Sequence, residues 1–152
     1  MANGPLVSAT PVGIEECKLV ELPVIGDPQG NLAFAEGESH VPFPIARVFF
    51  VYDVPGEAVR GGHAHRSLEQ AVFCLAGRLD VVVDDGAQRR TFSLEDPRTG
   101  LYLPPMVWHD LVGFSTGTVY LALTSAQFDE SDYIRDHEEY LTAIGAVEAS
   151  RR

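Results

Sequence analysis

The sequence predicts an all-β fold of antiparallel sandwich or barrel type, followed by one short C-terminal helix. Apolar runs of strand length are rich in β-branched and aromatic residues, some of them alternate with acidic side chains at period two, and Gly, Pro and Asp turns separate them. Composition agrees. The 152 residues, 45% hydrophobic and 22% charged with mean hydropathy close to zero, suit one soluble globular domain over 1–152.

The first twenty-odd residues are mixed and interrupted by Pro, and predict one edge strand and a loop. Arg47-Val48-Phe49-Phe50-Val51-Tyr52-Asp53-Val54 predicts a strand that Pro55-Gly56 ends. Leu68 to Ala76 is a second apolar run, stopped by Gly77. Leu79, Val81 and Val83 alternate with Asp80 and Asp84, as in a half-buried strand. Asp85-Gly86 supplies a hairpin turn into Thr91–Leu94, and further strands follow at Leu101–Leu103, Val107–Val112 and Thr118–Thr124. After Ser131, apolar residues from Asp132 to Leu141 fall at helical spacing, with Ser131 as the N-cap and acidic residues in the first turn.

A net charge of −11, from 22 acidic and 11 basic residues, argues against a nucleic-acid partner, which rewards dense basic patches. An anionic ligand would have to be held by a few placed Arg, whose planar fork grips phosphate at two points. No apolar run approaches the ~18 residues of a membrane span. The start of the chain lacks the basic and apolar regions of a signal peptide, and Cys17 and Cys74 have no metal-type spacing. A cytoplasmic protein with two buried thiols is expected.

The densest chemical constellation is Arg60-Gly61-Gly62-His63-Ala64-His65 with Glu69, joined from far along the chain by Pro104-Pro105-Met106-Val107-Trp108-His109. Residues two apart on a strand share a face, so His63 and His65 are expected to enter one cavity. HxHx₃E with a later Pro-rich approach to His resembles the signature of the cupin barrels. In many of these proteins the equivalents of His63, His65, Glu69 and His109 hold a divalent metal, a donor set suited to Fe, Mn, Ni or Zn.

From about Asp27 to Tyr140 the chain closely resembles one group of cupins, the nucleotide-sugar 3,4-ketoisomerases acting on dTDP-4-keto-6-deoxyglucose. The resemblance lies in Asp27-Pro28-Gln29-Gly30-Asn31-Leu32, Arg47–Tyr52, Arg60–His65, Leu68-Glu69-Gln70, Gly100-Leu101-Tyr102, Val107-Trp108-His109 and Asp129–Arg135. It implies a double-stranded β-helix (jelly-roll) fold with its core at about 27–140. It further implies a homodimer that needs no metal or other cofactor, with His63 and His65 performing acid–base chemistry on a dTDP-linked keto sugar. Departures are visible as well. Gln29 stands where the family usually has Arg, Phe49 and Phe50 stand where Tyr is usual, and Gly62 replaces a commoner Phe, leaving the exact sugar open.

Moving a carbonyl from C4 to C3 of a sugar is a problem of proton transfer, and imidazoles titrate near neutrality. His63 and His65 are therefore expected to divide the transfers. His109 and Glu69 would orient groups or contact substrate. Arg47 and Arg60 are the candidate diphosphate ligands, Tyr102, Trp108 and Tyr133 the candidate stackers on thymine, and Arg135 a further contact. Three other readings compete: a metal-dependent cupin such as a dioxygenase, a non-catalytic sugar-nucleotide-binding cupin, and a 3,5-epimerase.

Overall fold

A computed structural model describes residues 13–145. Its strands are β1 (Leu19–Glu21), β2 (Val24–Asp27), β3 (Gly30–Ala33), β4 (Arg47–Val51), β5 (Arg60–His65), β6 (Gln70–Ala76), β7 (Leu79–Asp84), β8 (Arg89–Leu94), β9 (Thr99–Leu103), β10 (Trp108–Val112), β11 (Val119–Thr124) and β12 (Tyr133–Ile134), followed by helix α1 (His137–Ala143). One five-stranded sheet has the order β1-β9-β6-β11-β4 and the other β12-β5-β10-β7-β8, with β2-β3 as a separate hairpin. The strand ladders are antiparallel, and the two sheets make the expected jelly-roll.

Alternation sends one side of each strand between the sheets. Val72 and Cys74 of β6, Val81 and Val83 of β7, Leu101 and Leu103 of β9, Leu111 of β10 and Ala122 of β11 form one buried cluster there. The opposite faces are covered separately. Ala71 and Phe73 pack under Val41 and Phe43, from the segment between β3 and β4. Ala64, Trp108 and Ile134 pack under Tyr140 of α1. Both cysteines are free and buried, as expected.

Most strand expectations hold to within a few residues, including the N-terminal edge strand and the Asp85-Gly86 turn, where Asp85 accepts from the N–H groups of Ala87 and Gln88. The C-terminal expectation needs correction. Ser131 does not cap a helix. Glu130–Asp132 forms a 3₁₀ turn, Tyr133 and Ile134 pair with His65 and Ala64 as β12, and α1 begins only at His137 with Asp136 as its cap, accepting from Glu138 N–H at 3.0 Å. Ile134 satisfies its backbone on the edge of β5 and its side chain in the apolar layer, so pairing overrides helical spacing. The β2-β3 hairpin is an addition; the Asp27 carboxylate accepts from Gln29 N–H at 2.7 Å and Gly30 takes φ +130° at its turn.

Helix α1 is fixed to the second sheet by Tyr140, fully buried, whose hydroxyl donates to the carbonyl oxygens of Asp84 and Met106, each at 3.0 Å. Tyr140→Phe removes the donor to both, with an expected loss of about 1–2 kcal/mol read by denaturant unfolding.

Candidate active site

Strand β5 brings His63 and His65 to the same face, and β10 sets His109 opposite His63. A register shift follows between His109 and Asp110. Gly61, at φ +79°, makes this possible, since a Cβ there would lie 2.9 Å from the His109 carbonyl oxygen. The His63 ring centroid lies 4.8 Å from that of His65 and 4.7 Å from that of His109. Pairing of β12 with β5 adds Tyr133, whose ring is 4.9 Å from His63 and 4.4 Å from His65.

These groups line one wall of an open cavity of about 420 Å³ between the sheets. The facing sheet contributes Arg47 and Phe49 of β4, Gln70 of β6 and Tyr120 of β11. Arg47, Arg60 and Arg135 supply the cavity's guanidinium groups. Arg47 lies over Phe49 and Phe128, at 4.7 and 5.3 Å from their centroids. Among the described residues, neither Arg47 nor Arg60 has a carboxylate within 4.0 Å, so both keep their charge free for a ligand. Arg135 stacks on Tyr133 at 4.1 Å and is held by Glu130 through two bonds of 2.7 and 2.9 Å. It both lines the cavity and pairs with an acid.

Burial governs the imidazoles. Desolvation, with the neighbouring His63 ring second, pushes His65 down to about 4. Desolvation likewise lowers His63 and holds His109 well below its ordinary range. At neutral pH these groups are proton acceptors rather than cations. The Asp132 carboxylate lies 3.6 Å from His65 Nδ1, beyond a hydrogen bond, and accepts from Ser67 N–H, Ser67 Oγ and Leu68 N–H at 2.9, 2.7 and 3.1 Å. It thereby fixes the turn that follows His65.

The four-residue donor set of a metal-holding cupin is not assembled here. Glu69 does not line the cavity; its carboxylate accepts from the Tyr102 hydroxyl at 2.6 Å, and Tyr102 packs against Phe43 on the outside of the first sheet. Among the described residues, no group of three or more His, Cys, Asp or Glu side chains has the arrangement of a metal-ion site.

A model of the FdtA family (WxcM-like, C-terminal) matches residues 15–145. The chain belongs to the FdtA family. It is 39% identical over 132 residues to the TDP-4-oxo-6-deoxy-alpha-D-glucose-3,4-oxoisomerase of Aneurinibacillus thermoaerophilus, covering 87% of this chain and 95% of that one. Among solved structures, it is similar to a mutant 3,4-ketoisomerase of Thermoanaerobacterium thermosaccharolyticum in complex with TDP-4-keto-6-deoxyglucose. That match has 33% identity and a TM-score of 0.83, and covers 85% of this chain and 94% of that one. A TDP-quinovose 3,4-ketoisomerase of Campylobacter jejuni has 36% identity and a TM-score of 0.81, over 85% of this chain and 99% of the other.

Of the residues expected in this FdtA-family site, His63, His65, His109, Arg47, Arg60, Tyr133 and Arg135 line one cavity. Three do not. Glu69 and Tyr102 hold each other elsewhere, and Trp108 packs edge-to-face on His137 with their centroids 4.9 Å apart, under α1. Strand parity explains these departures: Tyr102 lies between inward Leu101 and Leu103, and Trp108 precedes inward His109. Of the family departures, Phe49 and Phe50 line the cavity, Phe50 with its ring largely exposed, whereas Gln29 sits at the β2-β3 turn. Gln70 and Tyr120 are additions; the same parity, counted from Val72 and Ala122, places both inward.

In the free protein, NMR titration of the His65 ring is expected to give a midpoint near 4, and a midpoint at 6 or above would contradict its desolvation. An unfolded imidazole titrates near 6.5, so the unfolded chain binds the extra proton first. This residue's contribution to stability is full above about 6.5 and is lost as pH falls toward 4.

Proposed function

We propose that the chain is a sugar-nucleotide 3,4-ketoisomerase that converts dTDP-4-keto-6-deoxy-D-glucose to its 3-keto isomer, in deoxysugar and amino-sugar synthesis. The observation that carries this reading is a cluster of neutral imidazoles, His65 and His109 buried and His63 half-buried, inside a cavity that also presents two arginines free of carboxylates. The named activities of the similar proteins support the same chemistry.

The nucleotide diphosphate is held by Arg47 and Arg60, with Arg135 as a third cation and Tyr133 as an aromatic surface beside it. His63 and His65 share the proton transfers. A neutral imidazole takes the C3 proton, the C3–H electrons form the C3=C4 double bond, and O4 receives the electron pair of the former carbonyl. A proton passes from O3 to O4. Collapse of the O3 enolate then makes the C3 carbonyl, and C4 takes a proton back from an imidazolium, so neither oxidant nor reductant is consumed. Burial strengthens hydrogen bonding to the developing oxyanion because little water competes with it.

A homodimer in the cytoplasm belongs to the same reading. In its support, the outer side of edge strand β4 exposes Val48 and Phe50, with Tyr52 just beyond its end, and the β2-β3 hairpin exposes Ile25 and Leu32. No helix among the described residues is long and apolar enough to cross a membrane.

Incubation with dTDP-4-keto-6-deoxyglucose in deuterated buffer, followed by NMR of the sugar ring, tests the reaction. The expected product carries its carbonyl at C3 and no deuterium at C5. Deuterium at C5 would identify an epimerase, and an unchanged sugar would refute the isomerase. His63→Asn and His65→Asn are each expected to lower kcat by ~10²–10⁴-fold with dTDP affinity kept. Arg60→Ala is expected to weaken dTDP binding about tenfold in calorimetry. Wild-type turnover in both His variants would remove the acid–base assignment.

A further inference from the structure

We propose that Gln70 is a further substrate-contacting residue, its carboxamide bridging the ketone and hydroxyl oxygens at the two reacting carbons of the sugar. The proposal rests on the ketoisomerase reading and adds a group to that site.

Gln70 is 3% exposed, and it opens strand β6 on the face that continues into the apolar core as Val72 and Cys74. An apolar side chain would suit that row. Instead the row begins with an amide on the sheet that faces the histidines across the cavity. Among the described residues this amide makes no hydrogen bond, and its polar atoms are not among those sealed in the interior, so they open onto the cavity. An amide that opens onto a cavity without a protein partner keeps its donor and its acceptor free for a group bound there. A bound sugar would supply the partner that the protein does not.

The chemistry of the group indicates which part of the ligand it meets. A carboxamide presents an acceptor and a donor side by side. An α-hydroxyketone presents the complement, a hydroxyl that donates beside a carbonyl that accepts. Isomerisation exchanges these roles between O3 and O4, and a half-turn of the terminal amide exchanges them on the protein. One neutral side chain thus serves substrate, enediol and product. A carboxylate here would only accept and would repel the oxyanion, whereas Arg or Lys would only donate. Gln70 is the one carboxamide among the described lining residues.

Three proteins test the proposal: wild type, Gln70→Met, which replaces the amide with an apolar chain of similar length, and Gln70→Glu. Turnover of dTDP-4-keto-6-deoxyglucose is measured for each, together with calorimetric affinities for that ketosugar nucleotide and for dTDP alone. In Gln70→Met, kcat is expected to fall about ten- to hundredfold, and the affinity advantage of the ketosugar nucleotide over dTDP to shrink, with dTDP affinity within about twofold of wild type. If kcat and that advantage both stay within about twofold of wild type, the proposal is overturned.

Should Gln70→Met not fold, Gln70→Glu decides. Its kcat relative to wild type is expected to rise as pH is lowered and the carboxyl regains a donor hydrogen, whereas a ratio independent of pH overturns the proposal. An inactive wild-type protein refutes the ketoisomerase reading alone, because the affinity comparison still decides whether Gln70 touches the sugar.

Discussion

Strand β10 runs beside β5 with His109 opposite His63, and β12 adds Tyr133 opposite His65 on the other edge. That register places three imidazoles and a phenol on one inner wall, and it turns Ala64, Trp108 and Ile134 outward under α1. A slip of one residue in any of these strands would exchange the two sets, placing histidines beneath the helix and apolar groups in the cavity. The bulge after His109 and the glycine opposite it are part of the same arrangement, because a side chain at Gly61 would collide with the His109 carbonyl.

From that placement follows the electrostatic character of the site. Desolvation leaves the imidazoles uncharged at neutral pH, so the positive charge of the cavity resides in its arginines. In the proposed function, capture of an anion and movement of protons thus fall to different side chains. The separation matters in a chain of net charge −11, whose overall field opposes an anionic ligand. Arg47 and Arg60 escape neutralisation because no described carboxylate reaches them, whereas Arg66, Arg78, Arg98 and Arg135 are paired.

Much of this was legible in the residues. The period-two pattern of Leu79, Val81 and Val83 gave β7, and the HxH pattern gave two groups on one face. The cupin-like signature supplied the distant His109, and position on or beside the cavity strands singled out Arg47 and Arg60. Motif membership alone does not give parity: Glu69, Tyr102 and Trp108 belong to matching stretches, yet each lies on the side of its strand away from the cavity or before the strand begins. The Asp132–Leu141 spacing fits a helix, but an open edge of β5 offers Tyr133 and Ile134 better partners than one another. Backbone pairing between distant segments has no local signature, so it could not be anticipated there.

Arg135 sits over the ring of Tyr133, and Tyr133 in turn leans on both strand-β5 imidazoles. In the proposed enzyme, a guanidinium drawn to a phosphate would carry with it the aromatic plate against which the two imidazoles rest. On the proposed reading the nucleotide would then be more than an anchor for affinity: it would brace the geometry in which the sugar reacts. A free ketohexose, stripped of its diphosphate handle, would lose speed once bound as well as residence, since that bracing would be missing.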